Sequence, residues 1–127
     1  MGTILTQVTV SNTKDNASHI SFDGLIDTGS TFLTLPLTWK EKLGDLEKLD
    51  DVEMQLASGE IRPGEVCGPV GIKIGNFRKI FGEVLFMEME PDESGNYEPL
   101  IGYLPLEAIP AGVDMLNHRL FKVRVRA

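Results

Sequence analysis

The chain has one cysteine, Cys67, among 127 residues. An intrachain disulfide is therefore excluded, as is a zinc site built on several thiolates. A lone thiol fits a reducing compartment. Cys67 lies in Val66-Cys67-Gly68-Pro69-Val70 and reads as a small core residue. A nucleophilic thiolate wants a histidine beside it, and no motif brings His19 or His118 there. Positive charge is also scarce. Twelve Lys and Arg against 19 Asp and Glu leave a net charge of −7, which disfavours a phosphate backbone, so no nucleic-acid partner is expected. No apolar run approaches the roughly 20 residues of a spanning helix. Residues 1–10 carry no basic region and read as a strand rather than a signal peptide. The expectation is a soluble, cytoplasmic protein with no membrane partner. No linker, repeat or low-complexity tract interrupts residues 1–127, so a single domain is expected.

What the chain does hold is turn residues and short apolar runs. Its 13 Gly and 7 Pro, with 42% hydrophobic residues, suit a turn-rich β protein with a real core. Residues 4–10 and 19–26 read as strands of one hairpin, and residues 32–35 as a short buried strand. Pro36 suits the first turn of a short helix running to about Leu43 and stopped near Gly44. Residues 45–51 read as a charged connection. A second hairpin runs over residues 52–66 with Ala57-Ser58-Gly59 at its tip. Residues 70–74 read as a strand, Gly75-Asn76 as a turn, and residues 77–89 as a long strand or a pair. Residues 91–96 read as an exposed loop. Residues 104–109 allow one or two helical turns, and a last hairpin crosses Leu116-Asn117-His118. Strands at this spacing, with two short helices, indicate an all-β barrel or sandwich. In the basic stretch at the C-terminus, Phe121, Val123 and Val125 alternate with Lys122, Arg124 and Arg126. That is the pattern of an amphipathic strand whose cations guard an edge.

One element stands apart. Asp27-Thr28-Gly29-Ser30 follows Gly24-Leu25-Ile26 and precedes Phe32-Leu33-Thr34-Leu35. A carboxylate in a tight glycine turn between two buried strands is costly unless hydrogen bonds or a shared proton compensate it. Asp27 is thus held by a local network of backbone N–H groups, or it is there for chemistry. Other carboxylates say less. Asp23-Gly24 reads as a turn or bulge, and Asp92-Glu93-Ser94-Gly95 as a solvated loop. Asp45, Glu47, Asp50, Asp51 and Glu53 make an acidic surface without the spacing of a Ca²⁺ loop, so no metal site is assigned. Trp39 and Tyr103 read as packing residues.

Leu25-Ile26-Asp27-Thr28-Gly29-Ser30-Thr31 resembles the active-site loop of aspartic proteases, and Pro99-Leu100-Ile101-Gly102 resembles the apolar-apolar-Gly motif of retropepsin-like domains. Residues 54–66 sit where that family places its flap hairpin, and Leu106-Glu107-Ala108 matches the short helix after the glycine. The segment through Val113-Asp114 is similar to small prokaryotic clan-AA aspartic proteases. The resemblance spans nearly the whole chain. One departure is Gly102-Tyr103-Leu104-Pro105, where many such domains carry polar or charged residues after the glycine.

The resemblance implies a closed acid-protease-like β-barrel with a flap hairpin and one or two short helices. It implies an aspartic endopeptidase that activates water with an Asp dyad and uses no cofactor. One accepts the proton of water while the other, protonated, donates to the scissile carbonyl. This chain supplies one such acid, so a homodimer is expected, acting on a peptide or protein substrate. Residues 1–10 and 119–127 are each candidates for the dimer strands. Asp27, Thr28 and Gly29 are the implied catalytic set. Ser30, the flap tip Ala57, Ser58 and Gly59, and the floor residues Ile101 and Gly102 are the implied substrate-binding set. Two rivals are weighed against this. One is an inactive retropepsin-fold module for peptide binding or dimerisation. The other is the first phosphate loop of actin-like ATPases, which Asp-Thr-Gly-Ser-Thr also resembles. Length excludes the latter, since that fold needs two α/β domains.

Overall fold

Alternating apolar residues in the first quarter of the chain form strands β1 (Leu5–Asn12) and β2 (His19–Ile26). They pair as an antiparallel hairpin in the register Leu5↔Leu25 to Ser11↔His19. The computed structural model describes residues 3–126. Met1, Gly2 and Ala127, the outer ends of the two candidate dimer segments, lie outside the described residues. After β2 come β3 (Leu33–Pro36), a 3₁₀ helix (Leu37–Leu43), β4 (Lys48–Gln55), β5 (Ile61–Ile74), β6 (Ile80–Met87) and the two-residue β7 (Leu100–Ile101). Helix α1 (Tyr103–Ala108) and strands β8 (Ala111–Asp114) and β9 (Arg119–Lys122) complete the chain.

Seven strands run in the order β1-β2-β7-β3-β6-β5-β4, and β1 also pairs with β5. That last pairing, Val8↔Ile74 to Asn12↔Val70, closes the sheet on itself. Six strands thus form the ring, which removes their open edges, and β4 extends from it as one arm of a hairpin. β5 serves both structures. Its first half pairs with β4 and its second half with β1, while β6 runs beside both halves. The fold is all-β with two short helical segments, as the resemblance implied. The hairpin β8–β9 forms a separate two-stranded sheet.

The ring encloses Val8, Val10, Leu33, Leu35, Leu43, Val70, Ile72, Ile74, Val84, Phe86 and Ile101, all fully buried. Each such side chain contributes roughly 1.5–3 kcal/mol by leaving water. Cys67 is also fully buried, and burial pushes its thiol pKa up. A smaller cluster of Val66, Leu85 and Met87 lies under the β4–β5 hairpin, with Phe32, Val52, Met54, Leu56 and Met89 packed on it. Trp39 packs against Phe22 and Tyr97. No helix among the described residues is long and apolar enough to cross a membrane.

Several local expectations need correction. The charged connection ends early, because β4 already begins at Lys48 and pairs with Cys67 across a bulge. Charge repetition there hid an edge strand whose solvent side tolerates it. The two strands expected around Cys67-Gly68-Pro69 are one strand, with a bulge against β6 between Cys67 and Val70. The strand expected over residues 77–89 is shorter, Ile80–Met87. Asp23-Gly24 is neither turn nor bulge but regular β2, opposite Gln7 and Thr6. Tyr103 is exposed rather than packed. The last strand is also shorter than expected: β9 ends at Lys122, so Val123 and Val125 lie beyond it, and Phe121, Val123 and Val125 are exposed.

Candidate active site

The loop that carries Asp27 joins β2 to β3, and β7 is wedged between those two strands. β7 is parallel to β2, with Leu25↔Leu100 and Ile26↔Ile101, and antiparallel to β3, with Leu33↔Ile101 and Thr34↔Leu100. The Leu25 N–H donates to the Pro99 carbonyl at 2.8 Å, and the Asp27 N–H to the Ile101 carbonyl at 3.0 Å. Asp27 therefore leaves β2 at a fixed point. Gly24 lies directly under Ile101: a Cβ there would meet the Ile101 side chain at 2.8 Å. The small residue in β2 exists to seat the large one in β7.

The turn then closes on itself. The Ser30 N–H donates to the Asp27 carbonyl at 3.0 Å. The Gly29 N–H donates to Asp27 Oδ1 at 3.0 Å, and the Ser30 hydroxyl donates to Asp27 Oδ2 at 3.0 Å. This is the local side-chain-to-backbone bonding that aspartate favours in turns. A Cβ on Gly29 would stand 3.3 Å from Asp27 Oδ1, a tight contact on the bonded oxygen. Asp27 is half-buried, not buried as the flanking apolar runs suggested. An ionised carboxylate offers about four acceptor positions. The loop uses two, so the outward side of Asp27 can still take a water or a second carboxyl group.

Gly102 locks the loop from below. Its N–H donates to the Phe32 carbonyl at 3.0 Å. The next two N–H groups, Tyr103 and Leu104, donate to the Ser30 and Thr31 carbonyls at 2.9 and 3.1 Å. These belong to the first turn of α1, where N–H groups lack intrahelical partners. The loop thus caps the helix, and no side chain does. A Cβ on Gly102 would fall 2.5–2.6 Å from the Phe32 and Ser30 oxygens and the Thr31 carbonyl carbon. Tyr103 and Leu104 contribute backbone here, which explains how apolar residues can follow the glycine.

The sequence-derived residues fall into two groups. Asp27, Gly29, Ser30, Ile101 and Gly102 are joined by the bonds above. Thr28 is exposed and lines a hollow of about 320 Å³ with Asp27, Thr3, Ile4, Leu25, Ile26, Val113 and Met115. Ala57, Ser58 and Gly59 are exposed at the tip of the β4–β5 hairpin and make no hydrogen bond to the Asp27 loop. Their turn is closed by Leu56 N–H to Glu60 O and Gly59 N–H to Leu56 O, both 2.8 Å, with Gly59 at φ +89°.

Two residues near the site escaped sequence reasoning. Phe32 ends the Asp27 loop and packs into the cluster beneath the hairpin, so one side chain connects both. Arg62 bonds Glu60 at 3.1 Å, Glu90 at 3.5 Å and the Glu88 carbonyl at 3.3 Å, tying the hairpin to the end of β6. Glu60 is near Arg62 in the sequence, but Glu88 and Glu90 lie 26 and 28 residues away, so no local signal announces that second role.

The structure is similar to that of EIAV protease, solved in complex with the inhibitor HBY-793, with a TM-score of 0.65. The match covers 90% of this chain and 94% of the other at 18% sequence identity. No protein-family model and no curated protein sequence matches the chain. The fold is retropepsin-like.

Proposed function

We propose that residues 1–127 form one domain that acts as half of an aspartic endopeptidase, completed by a second copy of itself. The observation that carries this reading is Asp27 itself. Its carboxylate is oriented by Gly29 and Ser30 and keeps acceptor positions on its open side, and Gly102 pins the backbone of its loop from below. A single carboxylate cannot both take the proton of water and give one to a carbonyl. Two Asp27 side chains on a two-fold axis can, because acids so close share one proton. The ionised partner draws a proton from water, whose oxygen bonds to the scissile carbonyl carbon. The protonated partner gives its proton to the carbonyl oxygen. The pair titrates as a unit, so neither role belongs to one chain.

Thr28 is assigned to clamp the two loops across the axis, and Gly29 and Ser30 to hold Asp27. Ile101 and Gly102 form the floor. Ala57, Ser58 and Gly59 close over an extended peptide bound by strand addition, excluding water. No cofactor takes part. Kinship with small prokaryotic clan-AA proteases and a cytoplasmic location, from the lone buried thiol, belong to the same proposal. The two hydrogen bonds on Asp27 would equally serve a purely structural turn. They therefore also support a second reading, an inactive module for peptide binding or dimerisation.

Asp27→Asn separates the two. The substitution is expected to abolish cleavage of a peptide library while the dimer persists in sedimentation, and a statine-type inhibitor is expected to block the unmodified protein. A monomer at micromolar concentration, or cleavage that survives in Asp27→Asn, would refute the dyad. Tight peptide binding with no cleavage by the unmodified protein would establish the module.

A further inference from the structure

We infer that a groove between the start of β1 and strand β9 binds a short acidic peptide segment of another protein by strand addition. The groove shares no lining residue with the hollow beside Asp27, so it stands apart from the protease reading. One wall offers free backbone. In β1, the Ile4 carbonyl accepts from the Ile26 N–H on the β2 side, and the Gln7 carbonyl accepts from the Gly75 N–H at 2.8 Å on the β5 side. Alternate residues of a strand point their backbone groups the same way, so Leu5 faces the β5 side with Gln7. The β1–β5 register begins only at Val8↔Ile74. The Leu5 N–H and C=O therefore have no backbone partner among the described residues, and Leu5 is 57% exposed. Unpaired strand groups of this kind are a template for another chain.

The other wall supplies charge. The groove has a volume of about 440 Å³, and Leu5, Asn76, His118, Arg119, Phe121 and Lys122 line it with no acidic residue among them. Leu120 packs on the core, but Arg119, Phe121 and Lys122 are exposed. Lys122 makes no ion pair among the described residues, and Arg119 reaches only Asp114, at 3.7 Å. Asp114 fixes the turn that leads into β9. Its carboxylate accepts from the Leu116 N–H at 3.1 Å, the Asn117 N–H at 3.2 Å and the Asn117 side-chain amide at 2.8 Å. The Phe121 ring lies against Gly112, where a Cβ would collide with it. A wall held in this way loses little freedom on docking. Charge complementarity makes the occupant acidic. Four of the 12 Lys and Arg fall within residues 118–126, which hold no acid, while the rest of the chain carries eight cations against 19 acids. That surrounding negative field repels a long polyanion and favours a short peptide over nucleic acid. Leu5 and Phe121 beside the cations suit an extended peptide in which acidic and apolar residues alternate.

Fluorescence anisotropy with a labelled peptide alternating Glu and Val tests this. Binding should weaken by about tenfold or more as ionic strength rises from about 0.01 to about 1 M, because the screening length falls from about 30 to about 3 Å. Arg119→Gln combined with Lys122→Glu, both at exposed positions, should fold with an unchanged far-UV spectrum and bind about tenfold more weakly. Lys14→Glu, at an exposed cation outside the groove, should bind as the parent does. Two further peptides, N-methylated on every Glu or on every Val, separate strand addition from charge alone. Only one of them should lose affinity, by about tenfold, because alternate amides point to opposite edges. Absence of binding, equal binding of a peptide with Lys in place of Glu, or unchanged affinity in the double variant overturns the inference. Equal weakening by Lys14→Glu means a diffuse field, and equal affinity of the two methylated peptides means that no strand is added; either result also overturns it. An oligothymidylate that binds more tightly than the peptide, and loses affinity in the double variant, makes nucleic acid the occupant and overturns the peptide. All of these outcomes leave the protease reading of Asp27 standing.

Discussion

Replacing Gly102 by alanine adds one methyl group at the most confined backbone position of the site. The φ of −81° and ψ of −176° at Gly102 are open to any residue, so the requirement for glycine is one of space. The new Cβ would lie 2.5 Å from the Phe32 oxygen, 2.6 Å from the Ser30 oxygen and 2.6 Å from the Thr31 carbonyl carbon. All three belong to the backbone, which cannot rotate away as a side chain would. Relief requires the Asp27 loop and the start of α1 to separate, and that strains the bonds from Gly102, Tyr103 and Leu104. Overpacking costs about 1–3 kcal/mol, and three weakened hydrogen bonds add up to about 1 kcal/mol each. The expected loss is about 3–5 kcal/mol, a large share of the roughly 5–15 kcal/mol that holds a domain folded. For a chain of this length that corresponds to a fall in Tm of about 10–20 °C. Thermal unfolding followed by circular dichroism reads it directly. Gly59→Ala is the control: its φ is +89° and nothing lies within 4 Å, so it pays only a conformational cost of about 1 kcal/mol. A Gly102→Ala protein melting within about 3 °C of the parent, or no lower than Gly59→Ala, would refute the clamp.

Asn12 is a second structural hinge. Its buried amide donates to the Leu43 and Asp45 carbonyls at 2.7 and 2.9 Å, and its oxygen accepts from the Lys14 N–H at 2.8 Å. Asn12→Ala orphans these groups where the chain enters β4. It should cost about 2–4 kcal/mol in urea unfolding, and a loss under about 0.5 kcal/mol would discount the network. At Asp114, hydrogen bonds from Asn117 hold the carboxyl pKa below its ordinary 3.8. A depressed folded value means the turn's stabilisation is complete above 3.8 and lost as pH falls through the lower folded value. NMR titration should place the Asp114 midpoint below 3.8, with the Leu116 and Asn117 amides moving in step; a midpoint at or above 3.8 contradicts the turn.

Local chemistry determined much of this protein. Alternation marked β1 and β2, Gly59 and its neighbours marked the hairpin tip, and a family resemblance carried by the residues around Asp27 and Gly102 pointed to the candidate site. These signals are short-range: pleat, turn conformation and motif spacing are written in neighbouring residues. Tertiary structure decided the rest. Only the wedging of β7 between β2 and β3 shows why Gly24 and Gly102 must be small, since the atoms that crowd them come from distant segments. Only the pairing of β6 with both halves of β5 shows that β5 is continuous across Cys67. The placing of Val113 and Met115 in the hollow beside Asp27 is likewise invisible to periodicity, which assigned the last hairpin an apolar face without saying what covers it. Pattern tells which residues avoid water; packing decides against what they do so.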